Sequence, residues 1–161
     1  MGGINLSEEC HIVNYIEPAD NNAGVVGPVL DMSEWDHVTF ITTFGVTDAN
    51  PNDIIIEACD NMTPTTHPDM IFHYYIEVTD AGDVLDTGPT AVVAATGVDH
   101  TVITGANNVM VVVEINGADL PSGYRGVRYN LVAGAGNTFS SVVAILSGGR
   151  YKGYASPTVL T

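Results

Sequence analysis

Residues His37–Phe44 read HVTFITTF, a run in which Val38, Phe40, Thr42 and Phe44 alternate with Thr39, Ile41 and Thr43. Successive side chains of a strand point to opposite faces, so this spacing gathers two phenylalanines and a valine on one side. The run predicts a half-buried β-strand. A second run, Ile71–Val78 (IFHYYIEV), repeats the pattern: Phe72, Tyr74, Ile76 and Val78 share one face, and His73, Tyr75 and Glu77 share the other.

Working outward, the same chemistry recurs along the chain. His11–Ile16, Ile54–Cys59, Ala91–Ala95, His100–Ile103, Tyr124–Ala133 and Phe139–Leu146 each read as a strand bounded by Gly, Pro, Asn or Asp. Val109–Ile115 (VMVVVEI) is apolar on both faces, which marks a central or an interface strand, and Asn116-Gly117 ends it with a turn signal. Val (21) and Ile (12) outnumber Leu (7) almost fivefold. β-branched side chains are stiff at χ1 and pack well on a pleated surface, so the composition points the same way. No sustained 3.6-residue period is present, which removes the crossover helices of a parallel α/β sheet. The expectation is an all-β, antiparallel β-sandwich or jelly roll of about eight strands. It divides into residues 1–29 (an N-terminal arm or first strand), a sandwich domain over 30–149 and a C-terminal tail over 150–161.

With 161 residues, 45% hydrophobic and 14% charged, the chain suits one domain and is too apolar for intrinsic disorder. No stretch reaches the roughly 20 apolar residues of a membrane helix. The N-terminus, MGGINLSEECHIV, lacks the basic-then-apolar layout of a secretory signal.

Charge is lopsided. The formal net charge is −15; all 19 acidic residues lie between Glu8 and Asp119, and all four basic ones, Arg125, Arg128, Arg150 and Lys152, follow residue 120. A negative exterior repels phosphate backbones and anionic lipid, so neither nucleic acid nor a membrane is an expected partner. The acidity serves solubility, or the basic C-terminal segment docks onto an acidic partner or onto the acidic part of a neighbouring copy.

Searching for chemistry turns up little. There is no G-x-S-x-G elbow. GAGNTF lacks the third glycine and the helix of a dinucleotide loop. Cys10 and Cys59, the only cysteines, cannot build a zinc site by spacing, and they read as reduced thiols rather than a disulfide. His67, His73 and the pairs Asp36-His37 and Asp99-His100 read as surface or turn residues. Asp48–Asp53 (DANPND) offers oxygen donors of the kind Ca²⁺ prefers but reads first as a polar turn. Glu8-Glu9 and Glu34 with Asp36 are chance carboxylate pairs in so acidic a chain. The expectation is a non-enzyme without cofactor or metal. Contact residues are better marked. Trp35, the single tryptophan, caps one end of the core or forms a ligand platform. Arg150, Tyr151, Lys152 and Tyr154 combine the residue types that anchor interfaces. Val111, Val113, Arg125 and Arg128 complete the candidate interface set.

Four segments carry a resemblance: DMSEWDHVTFI (31–41), IIIEACDN (54–61), VVVEINGADLP with YRGVRYNLV (111–121 and 124–132), and NTFSSVVAILSGGRY (137–151). Together they resemble the capsid decoration, or cement, proteins of tailed bacteriophages. The likeness spans about residues 30–151 and rests on a Trp before the first long strand, a "VR" strand after a "DL" turn, and a terminal S-x-V-A-I-L strand followed by Gly and Arg. It implies a sandwich on the outer surface of an icosahedral head, made in the host cytoplasm. The partners it implies are the major capsid protein and the chain itself, as a homotrimer. The alternatives are another virion component from the tail or the head–tail connection, a carbohydrate- or receptor-binding β-domain, and a jelly-roll hydrolase.

Overall fold

HVTFITTF is the spine of the fold. In the computed structural model, which describes residues 6–47, 52–77, 90–92, 97–102 and 108–149, it sits inside a long strand, Trp35–Thr47. The strands, in chain order, are β1 (His11–Asp20), β2 (Val25–Val26), β3 (Leu30–Asp31), β4 (Trp35–Thr47), β5 (Ile54–Cys59), β6 (Phe72–Glu77), β7 (Thr90–Val92), β8 (Val109–Asn116), β9 (Gly126–Leu131) and β10 (Thr138–Gly149). A four-residue helix, Leu6–Glu9, precedes them. One sheet has six strands in the order β1-β10-β4-β8-β6-β7; the other joins β2 and β3 to one side of β9 and β5 to the other. All pairings are antiparallel, and the chain is an all-β sandwich.

The inner rows are those the alternation predicted. Val38, Phe40, Thr42 and Phe44 of β4 are buried, and they lie beside Val109, Val111, Val113 and Ile115 of β8 and Val142, Ala144 and Leu146 of β10. Facing them are Ile54, Ile56 and Ala58 of β5 with Val127, Tyr129 and Leu131 of β9. Tyr129 is wholly enclosed, and its hydroxyl meets that of Thr42 at 2.5 Å, so a buried polar pair crosses the core with both groups satisfied. Burial pushes the Tyr129 phenol far above its ordinary range, which keeps it neutral.

Where the second sheet breaks, a side chain from the first completes it. Tyr15 of β1 reaches between the sheets; its hydroxyl donates to Pro28 O and accepts from Tyr129 N at 3.1 Å. Its ring stands edge-on to Phe40, with centroids 5.2 Å apart. Gly27 makes room for it, since a Cβ there would lie 2.1 Å from the Tyr15 ring.

Several strand limits differ from the sequence reading. β1 runs on to Asp20 through Pro18, which an edge strand tolerates, and it absorbs two irregularities in register. Because β1 pairs with β10 and β2 with β9, part of the 1–29 stretch is built into the sandwich as strand. The strand expected at His100–Ile103 is a 3₁₀ turn over His100–Val102. Asp99 accepts the Thr101 amide at 2.7 Å and Asp53 accepts the His100 amide at 2.6 Å. Such side-chain acceptors favour a helical turn over a strand ladder.

Candidate functional site

At the end of the six-stranded sheet where β4 begins, β8 ends and β6 begins, the surface opens into a groove of about 690 Å³. His37, His73 and Glu114 project from the outer faces of these strands. Asp69 and Ile71 come from the segment before β6, and Asp119 from the turn after β8. Each element places its residue by the same alternation that buries its neighbour: Phe72 and Ile115 go inward, so His73 and Glu114 go outward. His37 Nδ1 donates to Asn116 Oδ1 at 3.1 Å, its Nε2 lies 3.2 Å from Thr39 Oγ1, and Glu114 stands 3.9 Å from Nε2. Asn116 in turn donates to Asp119 at 3.0 Å. Ile71, 64% exposed, forms an apolar sill. Among the described residues the lining includes three carboxylates and two histidines and no Lys or Arg, so the groove suits a cationic group carried on an apolar or extended stem.

Two further clusters hold the second sheet together. Glu57 and Arg128 are cross-strand partners on its outer face; Arg128 Nε donates to Glu57, and His67 Nδ1 donates to the other carboxylate oxygen at 3.0 Å. The Glu57 and Arg128 side chains are only 8% and 16% exposed, and the hydrogen bond to Glu57 raises the Arg128 guanidinium further above its already high range. Cys59, on the same face, has its thiol pushed up by burial, with Arg128 partly opposing. The free edge of β5 is covered by backbone bonds from Ala58 N to Pro68 O, from Met70 N to Ile56 O, and between Ile54 and Val98. In the third cluster, Asp53, Asp99 and His100 bring three potential ligand atoms within 4.8 Å. Asp53 is already engaged by the His100 amide and by its Nδ1 at 2.9 Å, so the group ties the 97–102 segment to the start of β5. Residues 48–51 of the loop considered for Ca²⁺ lie outside the described residues.

The expected contact residues scatter. Trp35 opens β4 half-buried against the core, its ring 6.2 Å from that of His11. Val111 and Val113 are fully enclosed core residues; the outer face of β8 belongs to Met110, Val112 and Glu114. Val112 is itself only 2% exposed, flanked by Ile41 and Tyr75, so β8 is covered on both faces within one chain. Arg125 is exposed near Asp31, whereas Arg128 is held by Glu57. Arg150, Tyr151, Lys152 and Tyr154 lie outside the described residues. Cys10 and Cys59 are both free thiols. The groove residues carry no linear signature, because three strand ends and a turn bring them together.

No protein-family model and no curated protein sequence matches the chain. Its fold is similar to that of a prophage protein. The crystal structure of SPBc2 prophage-derived protein YomS superposes with a TM-score of 0.50 at 12% identity, covering 87% of this chain and 94% of that one. At that identity the likeness concerns the fold. Among the described residues, no helix is long and apolar enough to cross a membrane.

Proposed function

We propose that the chain is a structural protein of a tailed-phage virion, a decoration protein that binds the outer surface of the head and bridges neighbouring copies of the major capsid protein. The observation that carries this reading is the sandwich itself, matched over nearly its whole length by a prophage-derived fold. The segments in DMSEWDHVTFI, VVVEINGADLP and NTFSSVVAILSGGRY that resemble cement proteins support it, and they form β4, β8 and β10, three adjacent strands of one sheet. A decoration protein works by binding, without turnover. Contacts of modest affinity repeated over a shell add through valency, and a site composed of two capsid subunits stabilises the assembled state by mass action. The acidic exterior keeps a densely displayed protein from clumping. A homotrimer at local three-fold positions fits this role, with Trp35, Arg125 and the Arg150–Tyr154 segment as contact residues.

The test is co-sedimentation with undecorated heads, paired with the solution mass by light scattering. Saturable binding, with heads that resist heat or chelation better once coated, is expected. Binding that never saturates, or heads unchanged by coating, overturns the decoration role. An Arg150→Glu/Lys152→Glu chain is expected to occupy fewer sites.

A further inference from the structure

The two outer faces of the sandwich differ in chemistry. The second sheet carries Glu57, Arg128 and Asn130 on its outer face around one isoleucine, Ile55, as suits a sheet turned to water. The six-stranded sheet is the opposite. Val143, Ile41, Val112 and Tyr75 stand in register as one outward row across β10, β4, β8 and β6. Beside that row, Ile12 of β1 pairs with Ile145 of β10. Ile12 is 51% exposed, and Phe139 farther along β10 is 54% exposed. The outward positions of β4 over 37–45 and of β10 over 139–147 hold no Asp, Glu, Lys or Arg. Carboxylates resume at the borders, with Glu17 and Asp20 on β1, Glu114 on β8 and Glu77 on β6. An apolar centre inside a charged rim is the layout of a protein interface.

We infer that the outer face of β1, β10, β4 and β8 is the surface on which one copy of this chain meets another. Its size is sufficient: four strands about 4.8 Å apart, over nine residues of about 3.4 Å each, give about 600 Å². Two copies that each cover such an area bury about 1,200 Å² in total, the lower limit for a stable, specific interface. Charge selects the occupant. Copies carrying −15 each repel wherever their carboxylates face one another, and on this face the carboxylates stand only at the border. A basic partner would gain most from the acidic surfaces and least from this one. The inference rests on the self-association in the proposed function, and is independent of the decoration role.

The test is the solution mass of the full chain by light scattering, over a dilution series in about 0.2 M NaCl, where the Debye length is about 7 Å. Ile12→Lys/Phe139→Lys puts two charges on the face. The control, Val26→Lys/Met62→Lys, makes the same charge change on β2 and in the loop after β5, at residues just as exposed (53% and 50%). Both variants reduce the net negative charge, so added repulsion between copies cannot explain a lost contact. Both are checked for a native β-sheet spectrum and for their melting temperature. The parent and the control are expected to associate alike, and the face variant to need at least about tenfold more protein to do so. A face variant that associates like the parent overturns the assignment, as does a control that dissociates as much as the face variant. A parent that stays a single chain throughout also overturns it; if the face variant then melts below the control, the face is covered by the chain's own residues. Because mass is read on the protein alone, failure to bind heads counts only against the decoration role.

Discussion

Asp60 illustrates how single residues fasten this acidic surface. Slight desolvation works against its charge, but hydrogen bonds from Thr66 and Thr65 outweigh it and hold the carboxyl below the ordinary range. Their hydroxyls donate to Oδ2 at 2.9 and 3.0 Å. A carboxylate depressed in the folded state contributes stability that is complete above the unfolded value of about 3.9 and is lost as pH falls through the folded one. Asp60→Asn is therefore expected to melt below the parent at about pH 6, with the gap narrowing in thermal scans as the pH falls below the ordinary carboxylate range. The Glu57–Arg128 pair behaves differently because it is covered. Removing one partner leaves a charge without its counter-ion in a largely dry site, so Glu57→Leu alone should cost about 3 kcal/mol in urea unfolding. Glu57→Leu/Arg128→Met should recover most of that loss, since two apolar groups need no counter-ion. Additive losses in that cycle would rule out coupling.

Among the elements, β8 makes the sharpest prediction. Val112 points away from the sandwich core yet is almost fully covered, between Ile41 and Tyr75. Val112→Asp should lower the unfolding free energy of the isolated chain by about 2 kcal/mol or more at any protein concentration. A penalty that appears only where chains associate would mean that the coverage comes from a neighbour. Gly27→Ala should be similarly costly, because its methyl meets the Tyr15 ring, and Gly27→Ala/Tyr15→Ala should lose less than the two single changes together. Elements with strict alternation were legible from sequence: HVTFITTF buries the face its spacing assigned, IFHYYIEV buries Phe72 and Ile76 and half-buries Tyr74 on the assigned face while Val78 lies outside the described residues, and Ile54–Cys59 has the predicted ends. β2 and β3 were not, because two-residue strands carry no period and Pro28 interrupts them. The turn at His100–Val102 was misread because its β-branched residues outweighed the two aspartates that fold it. The groove was illegible for a different reason. His37, Asp69, Glu114 and Asp119 become neighbours only once the strand order is known.

Across the whole molecule, the charge of −15 makes copies repel, so association should respond to salt. Light scattering over a dilution series is expected to show mass rising toward three chains as ionic strength goes from about 0.02 to 0.2 M, over which the Debye length falls from about 20 to 7 Å. A mass that falls with added salt would mean that attraction between unlike charges, rather than apolar contact, joins the copies. The pairing of the first long strand with the last has a mechanical consequence. β1 and β10 are antiparallel neighbours, with His11 opposite Leu146, so the start of β1 and the end of β10 lie at the same end of one ladder. Tension applied through those ends pulls across the ladder and opens it one rung at a time, rather than shearing every rung at once. Stretched through handles at His11 and Gly149 in an optical trap, the fold should unzip from β1 at low force. A load that the fold withstands must therefore arrive across its sheet faces rather than through the paired ends of β1 and β10.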